Sequence, residues 1–464
     1  MSSRTAGASN GREHGIEVER AAEVAIEAAL AAGAEQADAW CEDSVNRTVR
    51  VYAGAVESVL EAGSRGVGVR VFVGGRRGYA YGSDLSERGL RDLAQAARGA
   101  AAVTESDEHA GIPTDASAAE VGPLVTDDVH RWTMDRRIEL ALTVERAARE
   151  RDPLVSNVED TVYSDSAGRV ALANSAGFRG SYEASQCYAY AYAFAGEGDD
   201  LMTGVAVGVG RGPESLDPEA IGAEAADRAV ALHGARQPPS GRRPVVLDPY
   251  VAASFASVIG GTLSADAVQR GRSLFAGKEG EQIADHRLRL VDDGLEPDGL
   301  ATAPFDGEGN PQQRTPLIED GTLRDFLFDA YTGRRGKHSS TGNGTRGSYR
   351  APPSVGPTNL IVEPGDADEA ELLAAADDGV YVMSVSGLHA GVNPISGTFS
   401  VGATGRMIHD GELAEPVREM TIASDLVSML NAVGAVGAEA RWVPFGGSVK
   451  VPALLITDMT IGGT

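Results

Sequence analysis

The chain has 464 residues, two cysteines and a formal net charge of −26. That charge opposes close approach to phosphate backbones and anionic lipid, which argues against nucleic acid and membrane partners. No apolar run approaches the roughly 20 residues a membrane helix needs, and the opening MSSRTAGASNGREHG has no apolar core after its arginines, so a cytoplasmic, soluble protein is expected.

Length alone suggests two to four structural units. Cys41 and Cys187 lie far apart and match no metal or redox spacing, so both read as small core residues in a reducing compartment. From Ile16 to Ala32 apolar residues recur at helical spacing, with Glu17, Glu19 and Glu23 where the helix dipole favours acids. The following stretch, ADAWCEDSVNRTVRVYAGAVESVLEAGSRGVGVRVFVGGRRGYAYGSD, alternates apolar and polar residues and reads as an antiparallel meander with a hairpin turn at VGGRR. A second helix is expected after Ser83 or Asp84, running to about Ala102. Residues 16–103 thus read as an N-terminal α+β unit, and Thr104 to Asp127, rich in Asp, Glu, Pro and Gly, as a linker.

A middle α+β unit, 128–236, opens with a helix from about Met134 to Arg151, halted by Asp152-Pro153. Strands follow, and alternation puts Tyr188, Tyr190, Tyr192 and Phe194 on one side of a strand, expected as a core or interface face or else a surface that stacks on peptide. A helix from about Pro218 to His233 closes this unit, and GARQPPSGRRP punctuates the chain again. Residues 242–464 read as a β-rich C-terminal domain with two clear helices, about Pro249 to Leu263 and Ser424 to Ala432, and no solenoid repeat is visible. The fold class is therefore α+β, with helix and antiparallel-sheet units ahead of a β-dominated one.

Asp292, Asp293, Asp306, Glu308, Glu319 and Asp320 admit two readings, paired acids for hydrolysis or turn residues that cap and solvate hairpins, and their glycine neighbours favour the second. The segment LRDFLFDAYTGRR that follows them is strand-like. Of the eight histidines none forms HExxH, which leaves only a scattered set such as His286, His338 and His389 for a metal, against the ordinary role of surface or hydrogen-bonded core groups. There is no G-x-S-x-G elbow, and SVSG at Ser384 to Gly387 has no recognisable partners. The glycines of GVGVRVFVGG sit between strands and open no helix, so they make no phosphate loop.

Four blocks in order, SLFAGKEGEQIADHRLRLVDDG, ATAPFDGEGNPQQRTPLIEDGTLRDFLFDAYTGRR, HAGVNPISGTFSVGATGRMIHDGELAEPVREMTIASDL and GGSVKVPALLITDMTIGG, carry a resemblance. Read with GSRGVGVRVFVGGRRGYAYGSDLS near the start, they make the chain resemble the TldD/PmbA (TldE) family of peptidase subunits over nearly its whole length. In that family the active TldD subunit carries HExxxH on a helix after a strand like RPVVL, and a downstream cysteine completes a zinc site. Counted back from SLFAG, the histidines fall on Ala256 and Gly261 and the glutamate on Ser257, while the cysteine falls around Pro444 and Phe445. Methyl, hydroxymethyl and hydrogen side chains cannot hold Zn²⁺ or activate its water.

The resemblance therefore implies a PmbA/TldE-like subunit with no cofactor of its own. Zinc is expected in a TldD-like HExxxH partner, with which this chain would shape a chamber for unfolded peptides and peptide precursors, and alone the chain is expected inactive and able to form a homodimer. A peptide held as a strand needs a sheet edge and side-chain pockets. The segment Gly387 to Gly405 is the candidate, with Gly391, Asn393, Ser396, Phe399 and Ser400 as contacts; its other reading is a pair of ordinary strands joined by an Asn-Pro turn. Two alternatives to the subunit role are an independent hydrolase with a different active site and a non-enzymatic peptide-binding protein.

Overall fold

A computed structural model describes residues 17–444 and 447–464, and it is a mixed α+β chain built on two large sheets. The first sheet is antiparallel and six-stranded, in the order Arg76–Gly82, Ala55–Val73, Gln36–Tyr52, Val155–Asn174, Arg179–Ala195, Met202–Gly210. Gln36–Tyr52 pairs with Val155–Asn174, Trp40 opposite Leu172, so strands from either side of the segment 104–127 belong to one sheet.

Helices Val18–Ala31 and Glu87–Ala101 cover one half of this sheet, burying Ala37, Ala39, Cys41, Val67 and Val69. Met134–Glu150 and Pro218–Val230 cover the other half on the same face, burying Val49, Val51, Cys187 and Ala189. Small residues make that approach close. A Cβ on Gly78 would stand 2.0 Å from the Ala97 carbonyl, and one on Gly204 would stand 2.2 Å from that of Ala225. Caps set the helix starts: the Ser86 hydroxyl accepts from Gly89 N–H and the Thr133 hydroxyl from Arg136 N–H, so the second helix begins at Glu87, a few residues beyond Ser83 and Asp84. Both cysteines are buried and unpaired, and loss of solvation pushes their thiols well up, that of Cys187 to about 12.

The aromatic stripe does not form the core of its unit. Ala189, Ala191, Ala193 and Ala195 point to the helices with no exposure, whereas Tyr188 and Tyr192 lie on the opposite face and are 38% and 37% exposed. Over this strand the helices approach so closely that alanines fill the covered side, and the large rings take the other face. Of the glycines of GVGVRVFVGG, Gly74 and Gly75 form the turn between strands, whereas Gly66 and Gly68 lie inside the strand Ala55–Val73. A Cβ on Gly66 would stand 2.3 Å from the Tyr349 ring, and one on Gly68 would stand 2.3 Å from the Tyr349 carbonyl, so this bare backbone is the seat for a loop of the C-terminal unit.

In the C-terminal unit Gly241–Leu247 pairs with Gly379–Ser386, which pairs with Thr398–His409, then Glu412–Asp425, then Ser448–Gly462. Ser448–Gly462 pairs in turn with Gly241–Leu247, closing the ring of strands on itself. Helix Pro249–Thr262 is apolar on most of its surface and packs into the main core with Val245, Leu360, Val382 and Leu454. Five further short helices among the described residues interrupt the strands, the first four being Ala265–Gln269, Ala330–Gly336, Glu369–Ala376 and Leu388–Gly391. Of the strand-like LRDFLFDAYTGRR only Leu323 lies in a strand, Thr322–Leu323, and the segment then turns helical, because Asp329 and Thr332 form a reciprocal capping box that starts Ala330–Gly336. Strand Glu412–Asp425 runs through Ser424, and Asp425 caps a shorter helix, Leu426–Asn431, by accepting from Ser428 N–H. No helix among the described residues is long and apolar enough to cross a membrane.

Candidate functional site

Helix Pro249–Thr262 follows its strand directly, with Pro249 at its first position and Asp248 as N-cap, accepting from Tyr250 N–H at 2.9 Å. Helical geometry then separates the motif positions. Ala256 is 4% exposed and faces an apolar cavity of about 30 Å³ among Leu288, Met429 and Leu430. Ser257 lies on the half-buried side, its hydroxyl donating to the Ala253 carbonyl at 3.0 Å, and Gly261 is exposed with nothing within 4 Å of a Cβ placed there. One position points into the core and two point out. Pro444 ends the preceding strand region, and Phe445 lies outside the described residues.

Zinc binding needs nitrogen, sulfur or carboxylate donors converging on a point. Ala256 and Gly261 offer none and the Ser257 hydroxyl is committed to the backbone, so the residues at these positions do not fit the ion. Among the described residues no three His, Cys, Asp or Glu side chains are grouped so as to hold a metal. His286 pairs with Asp285 at the surface and His338 stacks on Phe328 at 4.7 Å, while the side chain of His389 is outside the described set.

Asp292, Asp293, Asp306 and Glu308 are buried, which corrects their reading as solvated turn residues. Asp292 and Asp293 bond within the C-terminal unit, whereas Glu308, with Asp306 beside it, lies at a charged seam between that unit and the first sheet. Arg70 reaches from the uncovered face of the sheet to Asp38 at 2.6 Å and to Glu308 at 2.8 Å, and Arg346 holds the other oxygen of Asp38 at 2.7 Å. The second oxygen of Glu308 accepts from Ala330 N–H at 2.7 Å, anchoring the start of helix Ala330–Gly336. Asp306 accepts from the N–H groups of Glu308, Asn310 and Gly344, and burial together with the Glu308 charge raises its carboxyl. These acids are occupied in joining segments distant in sequence. Glu319 and Asp320 are exposed at a hairpin, where Asp320 pairs with Arg289 at 2.7 Å. The sequence signal for the seam was faint: Arg70 occupies an alternate position of a strand, opposite in direction to its buried valine neighbours.

Asp292 accepts from Thr358 N–H at 2.7 Å and Asn343 Nδ2 at 2.6 Å, yet burial pushes its carboxyl to about 6. An ordinary unfolded aspartate titrates near 4, so between about pH 4 and 6 the folded state holds the extra proton. The stability contributed by the protonated group is complete below that window and falls by roughly 3 kcal/mol as pH rises through it. In urea titrations at pH 4.5 and 7.5, the advantage of wild type over Asp292→Asn is therefore expected to be larger at the lower pH. A constant difference across the range would contradict the assignment.

The segment 387–405 is a hairpin arm whose Val392 and Phe399 bridge. The Asn393 side-chain oxygen accepts from Ile395 N–H at 2.9 Å and Ser396 N–H at 3.1 Å, so it closes the Asn-Pro turn. Ser396 hydrogen-bonds Thr398, Phe399 is buried with its ring 5.0 Å from that of Phe255, and Ser400 is exposed. Gly391 lies so close to the strand that a Cβ would be 2.8 Å from the Ser400 carbonyl. Gly391, Asn393, Phe399 and Ser400 surround one open depression, which Ser396 does not line.

Two helix-covered units sharing a sheet, docked on a closed β-rich unit whose buried helix directly follows a strand, define the class as the PmbA/TldD type of metallopeptidase fold. The chain belongs to the PmbA/TldD metallopeptidase family. Its models match residues 37–101 (PmbA/TldA metallopeptidase domain 1), 127–232 (central domain) and 240–463 (C-terminal domain). The chain is 27% identical over 450 residues to metalloprotease PmbA of Escherichia coli O157:H7, covering 96% of each. It is 27% identical over 438 residues to the metalloprotease TldD homolog of Haemophilus influenzae, covering 88% of this chain and 89% of the relative. Its fold superposes on TldE of Thermococcus kodakarensis with a TM-score of 0.89 at 22% identity, over 96% of this chain and 100% of that one.

Proposed function

We propose that this chain is a metal-free, PmbA/TldE-like subunit of a zinc metallopeptidase that degrades or trims unfolded peptides and peptide precursors. The observation that carries the reading is the motif helix: donor residues are replaced by Ala256, Ser257 and Gly261, and Ala256 is built into an apolar core. Hydrolysis then needs zinc held by an HExxxH-bearing, TldD-like partner, and this chain contributes walls that hold substrate. The similarity to both PmbA and TldD relatives along most of the chain supports a partner of the same architecture.

The test is reconstitution. The purified chain alone is expected to leave an unfolded peptide intact. Mixed with an HExxxH homologue from the same source, it is expected to raise that homologue's cleavage at least tenfold, in a manner abolished by a zinc chelator. Cleavage by this chain alone that survives chelation would instead establish an independent hydrolase.

A further inference from the structure

At the junction of the first sheet and the C-terminal unit lies a cavity of about 330 Å³, separate from the depression at 390–400. Its volume is at the lower end of the range for small-ligand pockets, roughly 300 to 1,000 Å³. One wall is the strand Met202–Gly210, the last of its sheet, whose outer edge has no neighbouring strand among the described residues. Val207 donates its N–H to the Tyr250 hydroxyl at 3.0 Å, away from its partner strand. In an antiparallel strand each residue's N–H and C=O share a side and the side alternates, so Thr203 and Val205 also turn their backbone groups outward, where both residues line the cavity. The opposite wall is Met383 to Val385, just past the point where Gly241–Leu247 stops pairing, at Val382.

The cavity carries a guanidinium but no free positive charge. Arg228 is bound to both oxygens of Asp248, at 2.8 and 3.3 Å, and to the Met383 carbonyl at 2.7 Å, with its charge over the Tyr250 ring. The Ser254 hydroxyl donates to the Tyr250 carbonyl, and that of Ser384 is shared with Thr404. Open backbone groups along an edge, beside the apolar surfaces of Tyr192, Leu232, Val251 and Val385, remain for a ligand.

We propose that this cavity binds an extended peptide segment, with its main chain hydrogen-bonded to the edge at Thr203 and Val205 and one bulky apolar side chain inserted against Tyr192 and Val251. The mode is strand addition with a side-chain pocket, and a charged side chain is disfavoured because no unpaired counter-charge meets it. The choice of a peptide rests on the peptidase-subunit reading, whereas the selectivity for an apolar side chain comes from the cavity.

The test uses the full-length chain and acetylated, amidated tripeptides with a central Phe, Ala or Asp, with affinity read by calorimetry. The Phe peptide is expected to bind at least tenfold more tightly than the other two. Ser254→Trp, which fills the cavity from the half-buried side of the helix, and Thr203→Pro, which removes one edge donor where proline is tolerated, are each expected to weaken it at least tenfold. Val103→Trp, at an 86% exposed position outside both depressions, is expected to leave it unchanged, with thermal melts confirming that each variant folds. Equal affinity for Phe and Asp peptides, or binding indifferent to both cavity variants, overturns the proposal. Cleavage supported in a mixture by a chain that binds none of the peptides removes the cavity and spares the subunit reading. Selective binding without any effect on an HExxxH partner does the reverse.

Discussion

Arg70→Met is expected to destabilise the protein by about 3–5 kcal/mol, the range for removing one partner from a buried ion pair. Arg70 is 3% exposed and Glu308 is 1% exposed, so loss of the guanidinium leaves the Glu308 carboxylate desolvated beside Asp306 with the Ala330 N–H as its one remaining hydrogen-bond partner among the described residues. Asp38 keeps Arg346. The measurement is chemical unfolding of Arg70→Met, Glu308→Gln and the double variant. The double variant is expected to be less destabilised than the sum of the singles, because the second change removes the charge the first one orphaned. A single-variant loss below about 1 kcal/mol would show the seam to be hydrated and the interdomain contact weak. Since Asp38 and Arg70 lie on the sheet and Glu308 and Arg346 on the C-terminal unit, faster hydrogen exchange is expected on both sides of that contact in Arg70→Met.

The second large effect is expected from putting the motif back. Ala256→His forces an imidazole into a site surrounded by Phe255, Ile259, Leu288 and Met429, next to a cavity of about 30 Å³ that is smaller than the ring. Overpacking costs about 1–3 kcal/mol and an unsatisfied buried ring nitrogen costs about 1–3 more. The triple variant Ala256→His, Ser257→Glu, Gly261→His is expected to be destabilised by that combined amount and to take up no zinc tightly, since residue 256 faces the core while 261 faces out. Unfolding midpoints with and without added zinc check this. A triple variant that keeps wild-type stability and retains one equivalent of zinc through gel filtration would mean that the site is latent instead of lost, and would remove the central support for a metal-free subunit.

The elements whose cues are local were legible in the sequence. The helices capped by Thr133 and Asp217 begin where the sequence placed them, at about Met134 and Pro218, while the Ser86 cap starts the second helix a few residues beyond its expected position. The short helix Ala330–Gly336 carries the same kind of cap in Asp329 and Thr332, masked by the apolar run LRDFLF before it. Alternation located the tyrosines on one side of their strand, yet it could not say which side the helices would cover. Burial of Asp292, Asp306 and Glu308 was hidden for a related reason: an acid beside glycine reads as a turn until its partner, here Asn343, Gly344 or Arg70, is brought in from far along the chain.

By itself the sequence determined the α+β alternation, the family resemblance and the absence of HExxxH, because spacing and residue chemistry are properties of the one-dimensional chain. Only the tertiary structure decided that strands from both sides of residues 104–127 share one sheet, that Glu308 and Asp38 form ion pairs across the contact between this sheet and the C-terminal unit, and that Ala256 and Gly261 face opposite environments. The cavity beside Thr203, Arg228, Tyr250 and Met383 was invisible for the same reason, since it exists only where four segments remote in the chain are packed together. Which face of an element is covered depends on what packs there, and that free energy resides in contacts between segments, beyond the reach of any local pattern.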